Sequence, residues 1–324
     1  MTQLKTTFAG LSLRNPIIIS SSSLTNSAEK NKKLEPAGAG AIVMKSVIDE
    51  QSMMEAHHKA TYGSPEGDDY LSTYVRSHAL NEYISLIEQT KKLCTIPVIA
   101  SINCFSNSEW TDFARTVEAA GADALEINIL SLQTEKEYQY GSFEQRHIDI
   151  VSSIKKQISI PVIVKLGSNL TNPIALINQL YANGANAVVL FNRFYQPDIN
   201  IDTMTYSAGD VFSTPADLSN GLRWTAIASA QVPQTDYAIS GGVHDGKAIV
   251  KAILAGASAV ELCSVIYQKG NQAIADMTNE MTQWMNRQGY KDISEFKSSM
   301  NALSTGASNP FERTQFMKYF SSKE

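Results

Sequence analysis

The 324-residue sequence predicts an α/β protein built as a (β/α)8 TIM barrel, and three observations carry the prediction. One phrase recurs: "GAGAIVMK" from Gly38, "GADALEIN" from Gly121, "GANAVVLF" from Gly184 and "GASAVELC" from Gly256. Each is a helix-ending glycine, a turn of small residues and an apolar run, the form of a helix-to-strand junction. A second phrase, "IPVIASIN" from Ile96 and "IPVIVKLG" from Ile160, sets proline at a strand's first position, where no ladder donor is needed. Third, the runs are continuously apolar rather than alternating, as in strands buried on both faces.

Adding "NPIIIS" and "DYAISGG" gives eight strands, at 16–20, 41–45, 97–102, 124–128, 161–166, 187–192, 236–240 and 259–264. Eight is the barrel number, and segments such as "SEWTDFARTVEAA" and "GKAIVKAILA" supply helices between them. A doubly wound sheet is the runner-up, but its glycine-rich fingerprint should follow a strand, whereas "GAGA" precedes one. The whole chain is expected to be a single domain. Two intervals, 46–80 after the second strand and 193–222 after the sixth, exceed a bare connection and fall on the C-terminal face as candidate lids. Residues 271–324 are expected as a helical extension, the spacing of "MTNEMTQWMNRQGY" fitting a packing face.

With 43% hydrophobic and 18% charged residues the chain can bury a large core. A net charge of -5 without a basic run argues against nucleic acid and an anionic membrane as partners and for a small-molecule substrate. No apolar window is long enough to span a bilayer and the N-terminus lacks a signal-peptide layout, so a cytoplasmic protein is expected. Cys94, Cys104 and Cys263 make an odd count without metal-ligand spacing. Adjacent His57 and His58 do not share a face as metal ligands would, so no metal is expected. "NLT" at 169–171 matches a glycosylation acceptor, a match without content in a protein that is not secreted.

In a barrel the polar residues that end the strands share one mouth. They are Ser20 and Ser21, Lys45 and Ser46, Asn103, Asn128, Lys165, Asn192, Ser240 with Gly241 and Gly242, and Cys263 with Ser264. Hardly any carboxylate is expected among them. Amides, hydroxyls and two lysines suit a planar heterocycle carrying a phosphate better than a divalent metal. "SGG" and "CS" follow strands seven and eight, where this fold holds phosphate on backbone N–H groups. The plain alternative is that Gly241 and Gly242 only turn the chain into a helix capped near Asp245. Lys45 and Lys165 can each be a Schiff-base nucleophile, positive charge for a cofactor, or a snorkelling structural lysine.

These residues, in this order, resemble the dihydroorotate dehydrogenase family. The likeness covers about residues 1–270, through "LRNPIIIS", "GAGAIVMKSV", "PVIASIN", "AAGADALEIN", "PVIVKL", "ISGGV" and "LAGASAVELCS". It implies an FMN-dependent oxidoreductase, with dihydroorotate or another planar ring as substrate and a homodimer as the assembly. FMN phosphate falls to Gly241, Gly242, Cys263 and Ser264, and the ring and ribityl chain to Lys45, Ser46, Asn103, Asn128 and Lys165. Ser20, Ser21 and Ser240 line the same bed. The family's proton-accepting loop, Asn-x-Ser-(Cys or Ser)-Pro-Asn, aligns on Asn128 and makes Ser131 the base.

The resemblance has limits. Leu130, Leu132 and Gln133 replace the loop's first Ser, its Pro and its last Asn, and the amide segment that clamps orotate between strands two and three has no counterpart. Asn192 and Gln133 are left as candidate substrate contacts, with Arg76 and Arg193 as further donors. Three alternatives stay open: an FMN enzyme for another small substrate, a Schiff-base aldolase using Lys165, and a flavin-binding subunit whose chemistry has decayed. Fumarate, a quinone and a nicotinamide served through an iron–sulfur partner are all electron acceptors that the resemblance allows.

Overall fold

Eight parallel strands close on themselves in the computed structural model, which describes residues 2–46, 65–103, 110–304 and 310–312. The chain opens with a hairpin, β1 (Thr6–Phe8) and β2 (Leu11–Leu13), and then lays down β3 (Ile17–Ile19), α1 (Ala28–Ala37), β4 (Ala41–Val43) and α2 (Pro65–Leu93). Next come β5 (Val98–Asn103), α3 (Trp110–Ala119), β6 (Ala124–Ile129), α4 (Ser142–Lys155), β7 (Val162–Gly167), α5 (Pro173–Ala182) and β8 (Ala187–Asn192). A second hairpin, β9 (Pro197–Asn200) and β10 (Thr205–Ala208), precedes α6 (Leu218–Gln231). The chain continues with β11 (Asp236–Ser240), α7 (Gly246–Ala255), β12 (Ala259–Leu262), α8 (Ser264–Lys269) and α9 (Gln272–Gln288). Barrel order is β3-β4-β5-β6-β7-β8-β11-β12, with β12 pairing back to β3.

The repeated phrase is the joint of this architecture. Gly38, Gly121, Gly184 and Gly256 take φ of 114°, 91°, 97° and 117°, the left-handed region that ends a helix and that a Cβ disfavours. Caps open several of the helices: the Asn172 side chain accepts from Ala175 N beside Pro173, and that of Asp245 accepts from Ala248 N at 2.7 Å. The outer helices press Leu176, Ile177, Ile249 and Ile253 onto the strands, all within one contiguous core.

Inside the barrel a second core alternates by strand. Ile18, Ala41, Val43, Ile99, Ala124, Ile163, Ala187, Val189, Ala238 and Ala259 fill the lumen, and Phe8 and Leu13 of the first hairpin close its N-terminal end. Contacts to the strand starts pin that hairpin: Ala9 N donates to Asp236 Oδ2 at 2.9 Å, and Thr6 Oγ1 donates to Ser258 O at 3.1 Å. At period two, the positions above this layer are Ser20, Ser101, Glu126, Lys165 and Glu261, so the lumen turns polar toward the mouth.

Observed strands differ from the sequence expectation at a few places. The segment expected as strand 259–264 stops at Leu262, and Ser264 opens α8. Both hairpins went unanticipated. Of the first long interval, residues 65–80 are the N-terminal half of α2, while His57 and His58 lie outside the described residues, as does Cys104. The second interval holds β9 and β10, with Ile199, Ile201, Met204 and Tyr206 exposed on the hairpin. Helix α9 buries Ala273, Ile274, Met277, Met281 and Met285 along one face. A Cβ on Gly246 would lie 2.6 Å from Met277 O, so α7 and α9 approach through that glycine. Among the described residues no helix is long and apolar enough to cross a membrane.

Candidate active site at the barrel mouth

Lys165 anchors the polar layer. Its Nζ donates to Glu261 Oε2 at 2.5 Å and to Ser20 Oγ at 2.9 Å, and Glu126 Oε1 lies 4.0 Å away. Ser20 Oγ also donates to Glu261 Oε2, at 3.0 Å. All four residues are buried. Burial works against the ammonium, but the carboxylates of Glu261 and Glu126 outweigh it and hold Lys165 above the ordinary lysine value. For Glu261 burial is likewise overcome, by Lys165, and the carboxyl is held below its usual range. Glu126 goes the other way: burial and the neighbouring Glu261 push it well above the carboxylate range despite Lys165.

These two glutamates correct the sequence expectation of a mouth with hardly any carboxylate. They sit two residues before the end of "ALEIN" and "AVELC", so collecting only terminal polar residues passes over them. The signal was present: counting by two from Ala124 and Ala259, which line the lumen, lands on Glu126 and Glu261.

Above this layer the side chains of Asn103, Asn128 and Asn192 form a chain of amides. Asn192 Nδ2 donates to Asn128 Oδ1 at 2.8 Å, and Asn128 Nδ2 donates to Asn103 Oδ1 at 2.7 Å. On the other side are hydroxyls. Ser46 Oγ lies 3.2 Å from Ser21 Oγ and 2.8 Å from Ser101 Oγ, and Ser46 N donates to Ser21 Oγ at 3.0 Å. Tyr83 of α2 braces this side from behind: its Oη donates to Ser101 O at 3.0 Å and accepts from Ser101 N at 2.7 Å. Lys45 is half-buried beside Ser46, its ammonium without a hydrogen-bond partner among the described residues.

The glycine turn after β11 divides into two parts. Gly241 (φ 85°) has open space where a Cβ would be, whereas a Cβ on Gly242 (φ 74°) would fall 2.1 Å from Leu218 N. Gly242 therefore serves the close approach of the α6 N-terminus, and Gly241 faces the mouth. Among the described residues neither glycine's backbone N–H donates to a protein acceptor. Ser264 Oγ accepts from Ser213 N at 2.9 Å, and Ser213 Oγ lies 3.1 Å from His244 Nε2, so the segment before α6 is strapped to the turn. Arg193 adds a clasp, donating to Asp210 O and Val211 O at 2.6 and 2.9 Å. Burial pushes the neighbouring Cys263 thiol up, which keeps it protonated at neutral pH.

The loop after β6 carries Ser131 half-buried and Gln133 exposed. Gln133 Nε2 donates to Ser131 Oγ at 3.0 Å, Arg146 Nη2 lies 3.5 Å from Gln133 Oε1, and Asn169 Nδ2 donates to Ser131 O at 3.0 Å. Gly167 lets the loops after β6 and β7 meet, since a Cβ there would lie 2.9 Å from Leu130 Cδ1 and 2.7 Å from Asn169 Oδ1. Asn169, passed over in the sequence as part of an empty "NLT" match, is thus a prop of the loop. Arg76 lies on α2.

Comparison with known proteins decides the family. A family model described as dihydroorotate dehydrogenase matches residues 3–285. The chain belongs to the dihydroorotate dehydrogenase family. It is an oxidoreductase of the kind that acts on a CH–CH bond. The protein named dihydroorotate dehydrogenase B (NAD(+)), catalytic subunit, of Thermoplasma volcanium is 27% identical over 309 residues, covering 91% of this chain and 97% of that protein. The like-named protein of Methanocella arvoryzae is 29% identical over 272 residues, covering 80% and 85%. A solved structure described as DHODH in complex with ferulenol, from Eimeria tenella, superposes with a TM-score of 0.66 at 14% identity, covering 91% of this chain and 87% of that one, a likeness of fold. The resemblance carried by the strand-end residues and the closed dihydroorotate dehydrogenase barrel therefore agree.

Proposed function

We propose that this family member is an FMN-dependent dehydrogenase that exchanges hydride with a small planar substrate at the barrel mouth, dihydroorotate being the first candidate. The observation that carries the reading is the convergence on one mouth of a charged Lys165, the Asn192-Asn128-Asn103 chain and the N–H groups of Gly241 and Gly242, which find no acceptor among the described residues. The donor set fits the group: backbone N–H groups at a glycine turn suit a phosphate, and amides with a fixed cation suit the polar edge of a heterocycle. Gly241, Gly242, Cys263 and Ser264 would hold the phosphate; Ser20, Ser21, Lys45, Ser46, Asn103, Asn128, Lys165 and Ser240 would line the bed. When bound, FMN supplies hydride acceptance.

The chain's own part is electrostatic and positional. Lys165, kept charged by Glu261, places fixed positive charge beneath the bed, where charge developing in the reaction is stabilised without reorganisation. Asn192 and Gln133 would contact substrate. Ser131 would take the proton from the substrate carbon; its Oγ accepts from Gln133, and a hydroxyl serves as a base only through a relay that carries its own proton away. Aldolase chemistry at Lys165 is disfavoured, because a Schiff-base nucleophile must be a neutral amine and Glu261 holds this one as an ammonium.

The relatives' names point to NAD+ as the electron acceptor to try first. The exposed apolar hairpin β9–β10 supports a homodimer, and the composition supports a cytoplasmic protein. The test is a visible spectrum of the purified protein followed by anaerobic dihydroorotate. Flavin bands that bleach support the full reading. Bands that persist refute dihydroorotate as substrate, and a colourless protein that takes up no added FMN overturns the cofactor assignment.

A further inference from the structure

The polar layer has one ammonium for two carboxyl groups, all sealed from water: Lys165 is 5% exposed, Glu126 1% and Glu261 2%. A second buried anion would be severely penalised at such a site. The hydrogen bonds say which carboxyl is charged. Glu261 Oε2 accepts from both Lys165 and Ser20, the pattern of a carboxylate. Glu126 accepts from neither, and among the described residues both its oxygens lack a hydrogen-bond partner, as does Glu261 Oε1. Three unsatisfied oxygens in one buried layer are a rare defect if all are acceptors. One proton removes most of it, since a protonated carboxyl is a donor as well as an acceptor.

We propose that Glu126 is a neutral carboxylic acid sharing its proton with Glu261 Oε1, so that the layer holds one ammonium, one carboxylate and one acid and carries no net charge. A single O–H then satisfies an oxygen on each glutamate. Glu126 becomes a positioning residue: by donating to the free oxygen of Glu261 it keeps the other oxygen turned to Lys165 and Ser20. Among the described residues the groups facing it are Glu261 on β12, Lys165 on β7, Ser101 on β5 and Tyr83 on α2, with Ser20 and Cys263 beside Lys165 and Glu261. Lys165 is the only cation among them. The direction of the pKa shifts agrees, Glu126 raised and Glu261 lowered.

The assignment rests on the barrel's own atoms; only its use, holding the charge of Lys165 constant beneath a reacting ring, rests on the proposed reaction. The test accordingly needs neither flavin nor substrate. Infrared spectra of the full chain at pH 7, where exposed carboxyls are ionised, should show a carboxylic-acid carbonyl band that shifts in heavy water and is missing in Glu126→Gln. Chemical unfolding as a function of pH gives a second readout. An acid whose folded pKa is raised stabilises fully below its unfolded pKa of about 4.5 and loses that contribution as pH rises toward the folded value. Within that window the unfolding constant of the parent should grow, relative to Glu126→Gln, by about tenfold per pH unit. The amide mimics a neutral acid, so the variant should match the parent most closely below about pH 4.5, where Glu126 is protonated both folded and unfolded, and should become the more stable of the two as pH rises toward neutral. A parent spectrum without the acid band at pH 7 overturns the assignment even if the variant does not fold, and so do parallel pH profiles for the two proteins.

Discussion

Glu261 Oε2 and Lys165 Nζ stand 2.5 Å apart inside the barrel, joining the last strand to β7 across the lumen. Breaking a buried pair from one side leaves an uncompensated charge, which costs about 3–5 kcal/mol. Lys165→Met should lose stability of that order in urea unfolding. The double variant Lys165→Met/Glu261→Gln should recover part of it, because no lone carboxylate then remains beside a methionine. Additive losses would mean that the pair is not coupled in solution.

Asn128 is the middle of the amide chain and makes a bond in each direction. Asn128→Ala removes both, leaving partners on Asn103 and Asn192 to reorient. Fluorescence titration of the protein with FMN should show weakening of about tenfold or more, from the roughly 1–3 kcal/mol lost when buried polar groups lose their partners. Asn128→Ala that binds FMN as the parent does would remove the chain from the bed.

The two glycines of the turn should separate stability from binding. Gly242→Ala drives a Cβ to 2.1 Å from Leu218 N, so the α6 N-terminus must move and thermal stability should fall sharply. Gly241→Ala meets no atom and bears only its positive φ, about 1–2 kcal/mol. Its larger effect should be on FMN affinity. Calorimetry together with the FMN titration checks both.

Ser131→Ala removes the hydroxyl that accepts from Gln133. If Ser131 is the base, stopped-flow reduction of the flavin by a confirmed substrate should slow by about 10²–10⁴-fold with the visible spectrum intact. Ser131→Cys, with a more readily ionised group, should restore part of the rate and displace its pH profile. An unchanged rate for Ser131→Ala would take the hydroxyl out of the mechanism.

His147 is buried, with Nδ1 2.7 Å from Phe143 O, and burial holds its pKa below the ordinary 6.5. Unfolded, it binds a proton more readily than when folded. Its stabilising contribution is therefore complete above about 6.5 and is lost as pH falls toward the folded value. An NMR titration of the ring should give a midpoint below 6.5. A midpoint at about 6.5 would place the ring in water.

The barrel was legible because its joint is written four times, and each copy puts a left-handed glycine where a helix must stop. The mouth was half legible. A polar residue closing an apolar run, such as Lys165 or Asn128, announces itself. Glu126 and Glu261 hide inside the runs, one with Ile127 between it and Asn128, the other followed by Leu262. Only the sheet's two-residue period tells which neighbour points inward. Long-range props were beyond reach altogether: Asn169 supports Ser131 from 38 positions away, and Tyr83 meets Ser101 only because α2 folds back on β5. The β9–β10 hairpin escaped because its strands are short and exposed and bury no periodic face.

Phe8 and Leu13 stopper the far end of the lumen. Among the described residues the lumen is thus stoppered at that end, and the inner acid and its ammonium lie toward the neck that a ring and its substrate would fill. Whatever sits in the neck also closes the route by which that acid exchanges hydrogen with the solvent. Exchange at Glu126 should therefore keep time with the coming and going of the occupant rather than with the acidity of the medium.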